Sequence, residues 1–420
     1  MQGPLAIAIV GSGMAGLAAA RLCRDAGHRV TVFEAQARRG MDAHTLLVHG
    51  GLVDVPLRIM SPAHWQSVLN LATHVGVGTF AVDSFISCNW LDGDTWFRSS
   101  RLPGTGLPGV GSWRYLNRAT LHIARGLWQL TRAVKELRRQ GDNRTTLGAF
   151  LQQHDFEPLF WRGPVLNILK TICTCSEAHL LAWPALPLLS FLEMIAFGGR
   201  FLRLQGGTPA LVDALAVDLE FFSGSPVVQL QQHEAGVEVR NARGEGGRFD
   251  RVVVATPANQ SGFLTADQFG RETAALRRIH FDKGELVVHG DTRFMPRRRR
   301  DWVALNFLMT RDLQDSMWNV WVNAVEPTLA QAPPVFQTWN PLFEPAPETV
   351  LVRVPLARAV VHGGTEAALA ELRTLHAEAG RRVFFCGSWA HPGVPLLESA
   401  VRSAMAVATL LKLPVAWDHA

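Results

Sequence analysis

The chain has few of the residues that would make it a disulfide scaffold, a membrane-spanning protein or a nucleic-acid binder. Its five cysteines (Cys23, Cys88, Cys173, Cys175, Cys386) are too few and too scattered for a disulfide framework. Cys173 and Cys175 stand one residue apart, a spacing that fits neither zinc nor a redox CxxC pair, so no metal site is expected. A reducing compartment, hence the cytoplasm, is the expected location. Charged residues make up 18% against 48% apolar, which excludes a disordered chain and favours a large buried core. No apolar run is long and clean enough to span a bilayer, because Pro184, Pro187 and Glu193 interrupt the best candidate, Leu180 to Phe197. Leu5 to Cys23 is also apolar, but no basic residues precede it and glycines punctuate it, so a secretory signal is not expected. The net charge is +5 without any nucleic-acid-binding motif, and no nucleic-acid partner is expected. Internal repeats and low-complexity segments are absent, and tyrosine occurs once, at Tyr115.

What is present begins at the N-terminus. The apolar run Leu5 to Val10 leads into Gly11-Ser12-Gly13-Met14-Ala15-Gly16. An Ala- and Leu-rich helical stretch follows to about Ala26, then a Gly27-His28 break and a second strand, Arg29 to Phe33, ending at Glu34. Strand, glycine turn, helix, strand is the opening unit of a Rossmann-type dinucleotide site. Gly11 permits the tight turn, Gly13 lets the backbone approach a pyrophosphate, and Gly16 lets the helix pack against the sheet. The helix N-terminus then faces the negative charge. Glu34 stands about 20 residues on, where a carboxylate accepts ribose hydroxyls and repels a 2′-phosphate. The turn alone does not distinguish FAD from NAD.

At 420 residues, more than one domain is expected. Short strand patterns return at Val227 to Leu230, Val237 to Arg240, Arg251 to Ala255 and Arg382 to Cys386, and a long apolar helix is expected over Leu397 to Leu411. The expected class is therefore α/β, with a discontinuous cofactor domain (1–60, 205–275, 375–415) and a substrate or cap domain (61–204, 276–374) of mixed sheet and helices.

Three blocks carry a family resemblance. They are Ile7 to Gly40; Pro226-Val227-Val228 with Val252 to Pro257; and Val383 to Ser388 with Leu397 to Ala404. Together they resemble the flavin-containing amine oxidoreductase superfamily of monoamine oxidases, protoporphyrinogen oxidase and phytoene desaturases. Within it, Gly236 to Pro257 and Met295 to Asn306 are similar to bacterial amine-oxidase-like flavoproteins, whose genes often lie beside cyclopropane-fatty-acid-synthase-type methyltransferases. The resemblance implies a two-dinucleotide-binding-domain fold and a non-covalent FAD. The cofactor contacts it implies are Gly11, Gly13, Met14, Ala15, Gly16, Glu34, Ala35, Arg39, Gly40, Val227, Val228, Ala255, Gly387, Ser388 and Leu397. In that arrangement Val227 holds the adenine through its backbone, and the helix starting near Leu397 points at the flavin pyrimidine, where its N-terminus stabilises reduced-flavin charge. His391 and Glu398 are the implied proton-handling residues, with His44 and Asp42 as further candidates. The chain departs from the family pattern at Met41, Ser399 and Ala404, and Lys283 stands about two residues out of register with the flavin-adjacent lysine of amine oxidases.

Three functions remain open on the sequence. The apolar stretch Phe156 to Phe201 fits either ordinary core or an apolar substrate cleft, the latter favouring hydride transfer at C–C bonds of a lipid- or polyketide-like chain, by desaturation or isomerisation. An amine oxidase releasing hydrogen peroxide is the alternative, although a single tyrosine excludes a tyrosine-paired aromatic cage. A non-catalytic flavin-fold partner is the third. Trp113 to Arg139 reads as a basic amphipathic helix, either a solvated face or a peripheral contact with the inner face of a membrane. Arg297 to Arg300 reads as a solvated run or a contact for an acidic group. Oligomeric state is not readable.

Overall fold

Ala6–Val10 (β1) is apolar throughout and almost fully buried, a pattern that only a central strand covered on both faces sustains. In the computed structural model, which describes residues 3–101, 108–197 and 200–417, β1 is the middle of a five-stranded sheet. Its order is Glu220–Ser223, Arg29–Glu34 (β2), β1, Arg251–Val254, Val383–Phe385, and every pairing is parallel. The sheet thus draws strands from both ends and the middle of the chain.

Helix Met14–Asp25 (α1) covers one face of this sheet and packs along the C-terminal helix Leu397–Leu410. Small residues make that contact close: Ala15, Ala18, Ala19, Ala400 and Ala404 are all buried there. The other face is covered by helices Ala266–Leu276 and Thr365–His376 and by the antiparallel sheet Val227–His233, Gly236–Asn241, Gly246–Phe249.

The second body of structure is an eight-stranded sheet running from Val350–Val360 at one edge to Pro108–Val110 at the other. It is antiparallel except where Ile86–Trp90 pairs parallel with Leu305–Met309. Gln66–His74 (α2) packs on the C-terminal helix, while Arg118–Gln140 (α3) and Leu166–Cys173 contact the eight-stranded sheet. The basic helix expected over Trp113 to Arg139 is corrected here. Trp113–Tyr115 forms a separate 3₁₀ turn, and α3 begins only after Asn117, whose side-chain oxygen accepts from Thr120 N at 3.2 Å as an N-cap. Pro187, expected to interrupt an apolar run, lies in the first turn of helix Ala185–Phe197, where its missing N–H costs no hydrogen bond. Among the described residues, no helix is long and apolar enough to cross a membrane.

Candidate active site

The glycine turn is fixed by three backbone constraints. Gly11 has φ +97°, and its N–H donates to Phe33 O at 2.8 Å, tying the turn to the end of β2. A Cβ on Gly16 would lie 1.9 Å from Gly11 O, so only glycine lets α1 start this close to the turn. A Cβ on Gly13, by contrast, would meet nothing within 4 Å, because that side of the backbone faces a cavity. Glu34 closes the turn from the neighbouring strand: its carboxylate accepts from Ser12 N at 3.0 Å, Ser12 Oγ at 2.5 Å and Gln36 N at 2.8 Å. Gly40 completes it, donating to Ser12 Oγ at 2.7 Å, in a position where a Cβ would collide with Ser12 O.

The cavity that opens from this turn has a volume of about 640 Å³, within the range of small-molecule sites. Gly13, Met14, Ala15, Ala255, Gly387, Ser388 and Leu397 all line it, which brings together residues from both chain ends. The C-terminal helix enters at its N-terminus, where Leu396 provides no side-chain cap, so the first N–H groups and the positive dipole end face the cavity. Gly387 is held there by Ser403 Oγ, which accepts its N–H at 2.9 Å. Ala35 and Arg39 lie outside the cavity on the exposed loop after β2, with the Arg39 guanidinium 4.3 Å from the Phe221 ring centre. Val227 and Val228 also lie outside it, at the same end of the parallel sheet as Glu34, since Ser225 N donates to Glu34 O. A bulge between Val227 and Gln229 takes Val228 out of the strand ladder and leaves it exposed.

Neither implied proton-handling residue is in the cavity wall. The Glu398 carboxylate, 2% exposed, turns away to accept from Ser67 N and Val68 N, both at 3.2 Å, capping α2, and from Arg402 Nε at 2.7 Å. A carboxylate with its lone pairs engaged this way has a structural post. His391 Nδ1 donates to its neighbour Pro392 O, 2.8 Å away, and burial holds its pKa below the ordinary histidine value. His44 is likewise absent from the wall, and the Asp42 side chain lies outside the described residues. Lys283 is exposed, and the cavity position on its strand is Phe281, two residues earlier.

The far part of the cavity belongs to the eight-stranded sheet and its helices. Its wall is mostly apolar, with Ile86, Ile168, Ile172, Phe281, Trp318 and Val320 prominent. Its charged groups, among the described residues, are three arginines, Arg58, Arg101 and Arg358, with no carboxylate, histidine or lysine. Arg101 pairs with Asp83. Arg58 donates to Thr208 Oγ1 at 2.9 Å, and burial lowers its pKa. Among the described residues Arg358 has no ion-pair partner and its Nε is buried without a hydrogen bond; burial, reinforced by nearby Arg58, brings its pKa down to about 10. Thr256 Oγ1 and Trp318 Nε1 are two more buried polar atoms of the wall without partners. A buried polar group without a partner calls for an explanation, and a ligand bound in this cavity would supply one. Sequence reasoning missed Arg58 and Arg358; the available signal was a lone arginine in the apolar run Leu52 to Met60 and another near the end of strand Val350–Val360.

Comparison with known proteins bears on this arrangement. Residues 14–309 match the family described as flavin containing amine oxidoreductase. A Mycobacterium tuberculosis protein bearing the name flavin-containing monoamine oxidase AofH is 28% identical over 272 residues, 60% of this chain and 57% of its own. The chain thus spans little more than half of that relative. Among solved structures, a cofactor-redesigned putrescine oxidase superposes with TM-score 0.69 at 16% identity, covering 97% of this chain and 99% of that one. A CLA-producing fatty acid isomerase from P. acnes gives 0.68 at 13% identity, covering 97% and 99%. An oxidoreductase from Methanosarcina mazei gives 0.68 at 14%, covering 96% and 100%. At these identities the likeness is one of fold.

Proposed function

The chain belongs to the flavin containing amine oxidoreductase family, and from that premise we propose that it is an FAD-dependent oxidoreductase acting on C–C bonds of an apolar, unsaturated, lipid- or polyketide-like substrate. The cradle fits FAD. Gly13 leaves open space beside the first N–H groups of α1 for the pyrophosphate, and Glu34 stands where it would exchange its Ser12 contacts for ribose hydroxyls. The bulge at Val228 frees backbone groups for the adenine, and Ser225 Oγ is buried beside it without a partner. The uncapped C-terminal helix would face the pyrimidine end, and the open Thr256 hydroxyl adds one donor.

A flavin bound there supplies the capacity to accept a hydride and, in an isomerisation, to return it. The chain's own residues do the rest. The isoleucines and Phe281 desolvate an apolar chain and hold it against the cofactor face. Trp318 and the arginines fix its polar end.

The observation that carries this reading is the charge of the cavity wall. An ammonium substrate would enter a desolvated space containing arginines and no carboxylate, an arrangement in which like charges repel strongly. An apolar chain with an anionic end instead supplies the partner that Arg358 lacks. The second reading, an amine oxidase releasing hydrogen peroxide, draws support from the names of the putrescine oxidase neighbour and the mycobacterial relative. Incubating the flavin-loaded protein with a long-chain unsaturated acid and an electron acceptor, then mapping double bonds by mass spectrometry, tests the proposal. Loss of two hydrogens or a moved double bond is the expected result. Unchanged lipid together with peroxide from an amine would replace this reading by the second.

A further inference from the structure

The outward face of α3 is built unlike any solvated helix face. At alternating spacings of three and four residues it carries Arg118, Leu121, Arg125, Trp128, Arg132 and Lys135, which places all six on one stripe. Every one of them is exposed, Leu121 at 71% and Trp128 at 63%. Just before the helix, Trp113 (86%) and Leu116 (69%) extend the apolar part, and Arg114 beside them is exposed too. The two acids nearest the stripe have partners: Glu136 pairs with Arg139, and Glu157 with His122.

Tryptophan and leucine left in water cost hydrophobic free energy that a solvated basic face would avoid. Arginines among them argue against a second copy of this chain, since two such faces would repel. The pairing of inserting apolar side chains with interleaved arginines matches the interface of a bilayer with anionic headgroups. The inner side of α3 packs on strand Thr95–Arg101 and helix Ala185–Phe197, both of which contribute cavity wall through Ser99, Ser100, Arg101 and Ile195. Two elements thus both carry α3 and contribute to the apolar cavity.

We infer that this stripe, with Trp113 and Leu116, docks the protein on the surface of a membrane containing anionic lipid. The helix lies in the plane of the interface, Trp128 and Leu121 reach toward the acyl region, and Arg118, Arg125 and Arg132 meet the phosphates.

Sedimentation of the flavin-loaded full chain with vesicles tests the inference. Binding is expected to vesicles of phosphatidylcholine containing about one third phosphatidylglycerol, to be weak with phosphatidylcholine alone, and to fall as salt rises. Arg125→Gln should weaken it about fivefold, and joint Leu121→Glu and Trp128→Glu should abolish it while leaving flavin content unchanged. Arg271→Gln, a change to an exposed arginine of helix Ala266–Leu276 that pairs with Glu371 and Glu378, should have no effect. Equal binding to both vesicle types, or undiminished binding by the stripe variants, would overturn the inference. Capture by soluble polyglutamate without vesicle binding would also overturn it, in favour of an acidic protein partner.

Discussion

The two halves of the cavity are made by different rules. On the parallel-sheet side, backbone geometry dictates residue identity: Gly16 is glycine because Gly11 O occupies the space of its side chain, and Gly40 because Ser12 O does. On the eight-stranded side, no backbone constraint selects Ile86, Ile168 or Trp318; they fill volume around a shape. A cradle for a fixed cofactor can be written in a short motif, whereas a wall for a variable substrate is assembled from residues scattered over the chain. The predictions follow from that contrast.

The largest effect belongs to the backbone side. Gly16→Ala drives a methyl group into Gly11 O, and the turn must open; the purified variant is expected to carry almost no flavin, read from the ratio of flavin to protein absorbance. Retention of wild-type flavin would break the contrast. On the other side, Arg358→Met should leave flavin content intact and weaken binding of an anionic substrate by about a hundredfold, as expected for removing one partner of a buried charge pair. A titration of the bound flavin's spectrum with that substrate measures it.

Acid acts on both sides alike, through stability. Burial holds His289, in the eight-stranded sheet, and His376, whose Nε2 accepts from Phe385 N of the parallel sheet at 3.0 Å, at pKa values of about 4. Above the ordinary histidine value both are neutral folded or unfolded, and they do not affect stability. As pH falls from about 6.5 to about 4, the unfolded chain takes up protons that the folded one refuses, and stability drops by a few kcal/mol. Thermal midpoints between pH 7 and 4.5 should show this loss, and His376→Asn, which keeps an acceptor but does not titrate, should reduce it. The smallest effects concern the two displaced candidates. Glu398→Ala should cost about 2 kcal/mol, because α2 loses its cap and Arg402 its partner, with turnover of the residual folded enzyme unchanged. His391→Ala should change stability by less than about 0.5 kcal/mol and leave turnover alone. A collapse of turnover in either would return that residue to the chemistry.

The same contrast explains what could be read from the sequence. The strand–turn–helix–strand of residues 6–34 was legible because glycine spacing and an acid at the strand end leave one physical solution. The start of the C-terminal helix was legible from its apolar run and from the family resemblance. Glu398 stands in the first turn of the helix facing the flavin end, as its sequence position implies, but its rotamer is set by α2, more than three hundred residues away in sequence. Arg58 and Arg358 could not be brought together from sequence, since one lies in the irregular segment after Gly51–Val53 and the other on strand Val350–Val360, three hundred residues on. Trp113 and Asn117 show a local version: the pattern was helical, but a capping side chain set the boundary.

The central claim is that this cavity takes an apolar chain with an anionic end. Anaerobic titration of the flavin-loaded protein with a long-chain unsaturated acid and with the amine of the same chain tests it most directly, because only the head charge differs. The account predicts that the acid perturbs or bleaches the flavin band at low concentration and that the amine does so only weakly. Tight binding and bleaching by the amine, with no response to the acid, would contradict it.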